Sequence, residues 1–231
     1  MMRRLVLGGL MAVLASATPA LAQDSVIGLN VGGFLLKGED GRSRDDVLGE
    51  NLSFLLFDIG DFNGPVIGGD YLISAGSFVE VGVGLGFYQR TVPSVYADLV
   101  DEDGTEIEQD LKLRVIPVTA TVRFFPISRD GGVQPYVGGG VAFNRWRYSE
   151  TGEFVDFSDG AIFRDNFVDE GTKAGPVFLG GIRFPVGASA LIGGEYRYSK
   201  ATVDLDPDLG FAGETLDIGG STLLVTLQFK F

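Results

Sequence analysis

The chain has 231 residues, 35 glycines, no histidine, no cysteine and a formal net charge of −13. Without thiols there are no disulfides and no thiolate metal site, and without imidazole the commonest general base is missing. An excess of 31 acidic over 18 basic residues excludes nucleic acid as a partner, because phosphates demand a basic surface.

The first stretch is a processing segment. Arg3 and Arg4 supply positive charge, Leu5 to Ser16 an apolar run, and Ala20-Leu21-Ala22 a small-residue cleavage pattern, so residues 1–22 are expected to be a signal peptide. A helical anchor is the alternative, disfavoured by the short run and by Pro19. From Gln23 to Phe231 one domain is expected. No later run reaches the roughly 18–20 apolar residues of a transmembrane helix. Abundant glycine among short alternating segments points to an all-β chain.

Eight alternating segments follow in order. The first, about Val26 to Leu35, aligns Ile27, Leu29, Val31 and Leu35 opposite Asn30. The second, Pro65 to Ser74, sets Ile67, Tyr71 and Ile73 against Asp70. The third, Phe78 to Thr91, has Val79 to Phe87 on one face and Glu80, three glycines, Tyr88 and Arg90 on the other. The fourth, Leu111 to Phe125, opposes Ile116, Val118, Val122 and Phe124 to Thr119, Thr121 and Arg123. The fifth, Pro135 to Tyr148, opposes Val137, Val141 and Phe143 to Gly138, Gly140 and Asn144. The sixth, Lys173 to Val186, opposes Phe178, Ile182 and Phe184 to Gly175, Gly181 and Arg183. The seventh, Ser189 to Val203, opposes Ile192, Tyr196 and Tyr198 to Glu195 and Arg197. The last, Gly219 to Phe231, alternates Leu223, Val225, Leu227, Phe229 and Phe231 with polar residues, Lys230 among them.

The second face carries glycine and ionic side chains, so it is no dry hydrocarbon; the apolar face therefore meets lipid. A soluble barrel with apolar inside and polar outside is the inverse reading, and it would aim the charges into its cavity. Only a closed sheet shows apolar residues to lipid while satisfying every backbone group. The expected architecture is an eight-stranded antiparallel transmembrane β-barrel with three short periplasmic turns. Four long extracellular loops are expected at about 37–64, 92–110, 149–172 and 204–218. Aromatics then fall at both boundaries, Tyr71, Phe124, Phe184, Phe229 and Phe231 at one and Phe87, Phe143, Tyr196 and Tyr198 at the other.

With its terminal Phe231, the PYVGGGVAF stretch at Pro135 to Phe143, the glycine alternation from Gly82 to Gly86 and the signal segment, the chain resembles a known group. It looks like the small eight-stranded outer-membrane proteins of Gram-negative bacteria, the OmpA-type membrane domain and its OmpW-like relatives. The resemblance implies export through the periplasm to the outer membrane. It also implies recognition of the terminal aromatic strand, Phe229 and Phe231, by the barrel-assembly machinery. No periplasmic domain follows the barrel, so peptidoglycan tethering is not implied.

For chemistry the residues offer little. With no histidine to activate a serine, no catalytic residue, metal site or cofactor is expected. Inside the barrel, Asp70, Glu80, Arg90, Arg123, Arg183, Glu195 and Arg197 are expected to form a charge network, paired as Glu80–Arg123 and Arg183–Glu195 on neighbouring strands, since an unpaired buried ion costs several kcal/mol. Such a network is either a plug or a gate. Most of the acidic residues lie in the connections; DLDPDLGFAGE (Asp204 to Glu214) resembles a calcium loop but is broken by Pro207 and Gly210. Lys112, Arg114, Arg145 and Arg147 point outward, toward lipid and lipopolysaccharide phosphates. Phe54, Phe57, Phe157, Phe163 and Phe211 either pack the loops together or form an apolar mouth. A non-enzymatic structural or interaction role is expected, with passive conduction of small hydrophobic solutes as the alternative.

Overall fold

The computed structural model describes residues 25–129 and 131–231; the expected signal peptide, 1–22, lies outside them. The described strands are β1 (Ser25–Leu36), β2 (Leu55–Leu56), β3 (Gly64–Ser74), β4 (Val79–Val100), β5 (Glu106–Phe124), β6 (Gln134–Val155), β7 (Ile162–Val186), β8 (Ala190–Ser199), β9 (Thr202–Asp204), β10 (Thr215–Asp217) and β11 (Gly220–Lys230), with one short helix α1 (Val47–Asn51). Eight of these strands close a ring: β1, β3, β4, β5, β6, β7, β8 and β11, the last pairing back onto β1. All eight contacts around the ring are antiparallel. Closure is completed at the ends, where Phe231 N donates to Ser25 O (3.0 Å) and Ser25 N to Phe231 O (3.2 Å).

The period-two pattern determines the faces. Leu29, Val31, Ile67, Leu85 and Val225 remain 57–63% exposed, whereas Asp70, Glu80, Arg123, Arg183 and Glu195 are buried. That inversion of a water-soluble protein suits a wall in contact with lipid and a lumen that holds the polar groups. Both sets of boundary aromatics stand on the outer wall, Phe87 (45%), Phe143 (50%), Phe124 (50%) and Phe229 (44%) among them. One ladder is interrupted: β4 and β5 pair down to Leu85/Val118 and resume at Tyr88/Val115. Pro117 lies in the gap and has no N–H to donate.

Two of the four expected long loops are mostly strand. β4 runs on to Val100 and β5 starts at Glu106, while β6 runs on to Val155 and β7 starts at Ile162. Past the lipid band the sense of the alternation reverses. Val92, Tyr96, Ile107, Leu111 and Tyr148 point inward and are buried, while Glu106, Glu108 and Asp110 face water. Strands with charged outer faces read as loops when one face is expected to remain apolar throughout.

The other two connections fold over the top. Helix α1 is capped by Asp46, whose side chain accepts from Leu48 N (3.0 Å) and Gly49 N. Arg42 holds the same carboxylate at 2.7 Å, and Asp217 N donates to it at 2.7 Å. Lys37 then pairs with Asp217 at 2.6 Å. This strap ties the first connection to the β9–β10 hairpin of the last. Beneath it Val47, Leu48, Leu55, Ile59, Phe62, Leu216 and Ile218 pack on Phe34, Tyr88, Leu111, Leu113, Trp146 and Tyr148 from the strands. The main apolar core therefore fills the outer half of the lumen and the space above it.

Candidate functional site

The half of the lumen on the side of the short turns is ionic. Its glycines are what make room: a Cβ on Gly84 would stand 2.4 Å from Asp70 Oδ1, and one on Gly181 2.6 Å from the Tyr136 hydroxyl. Into that space six charged side chains project, three carboxylates and three guanidiniums. Glu80 takes two bonds from Arg183, at 2.6 and 3.0 Å. Arg183 is further held by Gln134 (2.8 Å) and Gln228 (3.0 Å), with its guanidinium 4.6 Å from the Phe125 ring centroid. Arg123 pairs with Glu195 at 2.9 Å and Asp70 at 3.3 Å and stacks on Tyr136. Arg197 bonds Glu195 and Asp70, the latter at 2.8 Å. Asn30 (2.7 Å to Asp70) and Tyr136 (2.7 Å to Glu195) donate to the same acids. Arg129 of the periplasmic turn closes over Glu80 at 3.3 Å and over Ser74.

The partners differ from those expected between neighbouring strands. Glu80 and Arg123 stand opposite one another in register, yet Glu80 bonds Arg183 and Arg123 bonds Glu195. Each of these contacts, like Arg197–Asp70, joins strands three places apart around the ring. A barrel of eight strands is narrow enough for an arginine to reach the far wall. Arg90 lies outside the network: it is exposed above it and donates to Asp61 O at 2.8 Å.

Above the ionic layer lies a cavity of about 80 Å³, bounded in part by Asn30, Gly86, Pro117, Asn144, Thr222 and Leu224. Above that is the apolar core, where Leu111, Leu113 and Tyr148 have no exposed surface. The lumen thus has two successive closures, one charged and one apolar. Among the described residues no group of three or more acidic side chains is placed to hold a metal ion. In the calcium-like segment, Asp206 caps a short 3-10 turn and Asp204 pairs with Lys173 at 3.3 Å.

Three of the five loop phenylalanines, Phe54, Phe157 and Phe163, line one cavity at the outer end. Phe54 packs against Tyr96 and Phe157, and Phe211 against Tyr148 and Phe167. Phe163 stacks on Phe154, while Phe57 meets Phe62 apart from the rest. Phe157 (69%) and Phe163 (41%) remain exposed. On the closing strand, Phe229 sits opposite Ile27 on the outer wall and Phe231 lies beside Tyr71. The expected network left out Asn30, Gln134, Tyr136 and Gln228, which bind the lumen ions; all four share strand parity with the glycines or charges, and Asn30 was already placed on that face. Sequence reasoning also passed over Asn51 on α1 and Tyr96, Gln109 and Glu150 on strand extensions, all in segments that read as loops.

A family model described as outer membrane protein beta-barrel domain matches residues 8–231. In structure the chain is similar to Neisserial surface protein A, with 14% identity and a TM-score of 0.49 over 90% of this chain and 97% of that one. It is similar to Ail, the attachment invasion locus protein of Yersinia pestis, in complex with the heparin analogue sucrose octasulfate (16%, 0.44, 91% and 100%). A third similar structure is outer membrane protein W of E. coli (12%, 0.42, 91% and 100%). No curated protein matches the chain in sequence.

Proposed function

Because the chain belongs to the outer membrane protein β-barrel family, we propose that it is a non-enzymatic structural and interaction barrel of the Gram-negative envelope. On this reading the signal peptide is removed during export, the barrel-assembly machinery reads the terminal strand, and the barrel holds its folded outer surface clear of the membrane. The observation that carries the reading is the double closure of the lumen. Glu80, Arg123 and Arg183 are at most 1% exposed at one level, and Leu111, Leu113 and Tyr148 are fully buried at the other. A buried ionic layer in which each ion meets an opposite charge is costly to open, since separating one pair strands a charge.

The outer wall supports lipopolysaccharide as a partner. Arg114 and Arg147 stand directly opposite on β5 and β6, with Lys112 and Arg145 close by on the same outward face. Like charges in that position repel. Glu170 offsets Arg147 (3.1 Å) and Arg145 (3.6 Å), and the phosphates of the outer leaflet offset the remainder.

Planar-bilayer recording and liposome swelling test the reading. The wild-type barrel is expected to give no steady conductance and no uptake of small hydrophobic solutes. Stable channels, or uptake abolished by replacing Phe54 and Phe157, would identify it as a conduit instead. If the ionic layer is a gate, Glu80→Ala opens a conducting path; as a plug, it leaves conductance at zero.

A further inference from the structure

On the outer side, above both closures, is a second cavity, of about 260 Å³. Two aromatic clusters wall it. Phe54, Tyr96 and Phe157 form one, with ring centroids 5.7–6.4 Å apart. Phe154, Phe163 and Phe167 form the other, with Phe154 5.8 Å from Phe163 and 4.6 Å from Phe167. Exposed Phe157 and Phe163 put its opening on the solvent side.

Its floor is polar, and nearly all acceptor. Glu150 is 4% exposed, and no lysine or arginine bonds it among the described residues. Asn51 Nδ2 (2.6 Å) and the Tyr148 hydroxyl (2.8 Å) both donate to its Oε1. Asn51 Oδ1 and Gln109 Oε1 are buried there without a partner. Neither amide can be turned to relieve this. Asn51 must aim its NH₂ at the carboxylate, and Gln109 Nε2 donates to Glu153 O (2.9 Å) and the Tyr96 hydroxyl (3.0 Å). The Tyr96 hydroxyl accepts a second bond, from Val155 N at 3.2 Å, which leaves its own proton as one donor against these two unpartnered amide oxygens. Buried acceptors left unpaired are costly, and native structures rarely retain them without a reason.

We propose that this cavity is a binding site for a small organic ammonium, its N–H groups directed at Asn51 Oδ1, Gln109 Oε1 and the Glu150 carboxylate, and its apolar body held between the phenylalanines. A cation over aromatic faces is attracted by their quadrupole, and a buried carboxylate is offset by the opposite charge. The volume is below the roughly 300–1,000 Å³ of sites for drug-sized ligands, so the ligand is a compact amine. Burial raises the Glu150 carboxyl above its ordinary range, only partly opposed by Asn51 and Tyr148. The groups around it are Asn51 from α1, Tyr148 on its own strand and Tyr96 from β4, with Asp46 beyond Tyr148 and itself paired with Arg42. An arriving cation favours the ionised carboxylate, against the upward push of burial.

The inference goes beyond the closed-barrel reading and is tested apart from it, by titration calorimetry rather than conductance. Full-length mature protein in phosphatidylcholine bilayers is titrated with phenethylammonium chloride, and with phenethyl alcohol and phenylacetate as uncharged and anionic controls. Saturable binding of the ammonium alone is expected. Glu150→Gln, which preserves size and the Asn51 bond, should weaken binding at least tenfold. Phe157→Ala, at the exposed rim, should weaken it several-fold without touching the floor. Equal affinity of Glu150→Gln and wild type, equal binding of either control, or no ammonium binding at all would overturn the proposal.

Discussion

Consider Glu80→Ala. The side chain has no exposed surface, and it meets Arg183, 1% exposed, through two bonds of 2.6 and 3.0 Å. Truncation leaves a buried guanidinium without its carboxylate, which costs about 3–5 kcal/mol in comparable pairs. Arg183 retains Gln134, Gln228 and the face of Phe125, so the lower end, about 3 kcal/mol, is expected. Removing both ions in Glu80→Ala/Arg183→Met abolishes the desolvation cost along with the pairing. The double variant should therefore unfold much closer to wild type, with a coupling energy of about 2–3 kcal/mol. Trp146, the one tryptophan, is buried in the outer core and reports urea unfolding from lipid vesicles. The same cycle on Glu80 and Arg123, opposite in register but bonded elsewhere, should give a coupling below about 1 kcal/mol. If Glu80/Arg183 proves additive within about 0.5 kcal/mol, or Glu80/Arg123 couples more strongly, the cross-lumen pairing is wrong.

Other outcomes are as specific. Gly140→Val should prevent stable closure of β5 on β6, because even a Cβ there would lie 1.9 Å from Ala120 O; Gly33→Ala, with nothing within 4 Å, should stay within about 1 kcal/mol of wild type. The two are compared by the electrophoretic shift of folded barrels on heating. Acrylamide should barely quench Trp146 in folded vesicles, as it is 5% exposed, and quenching as in the urea-unfolded chain would show an open outer core. Glu150 supplies a pH test. Its carboxyl is raised above the ordinary 4.5 by burial, so the folded state prefers the neutral acid. Stability from this group is full below about pH 4.5 and falls as pH climbs through the raised value. Urea midpoints measured from pH 4 to 8 should show that decline in wild type and lose it in Glu150→Gln.

Much of this was open to reading before any fold was known. Alternation of Leu29/Val31 with Asn30, or of Val83/Leu85 with Gly84, assigns each residue to one wall face, because a strand repeats every two residues whatever lies around it. The even number of such segments, the boundary aromatics and the charges confined to the glycine face away from the outer strand ends were sufficient for a closed barrel in a membrane. The candidate sites were less legible. Neighbour-strand logic paired Glu80 with Arg123, as in an open sheet, but closure brings β7 within reach of β4 and leaves Glu80 on Arg183. The outer strand ends were hidden because leaving the bilayer reverses which face is apolar; Tyr148 and Glu150 then turn inward under α1, and Gln109 joins them from β5. Periodicity is a local property and was written in the chain. Which walls touch, and which buried acceptors meet in one cavity, depend on ring closure and on contacts between residues about 100 positions apart, such as Asn51 with Glu150 and Glu80 with Arg183. Only the tertiary structure decided those.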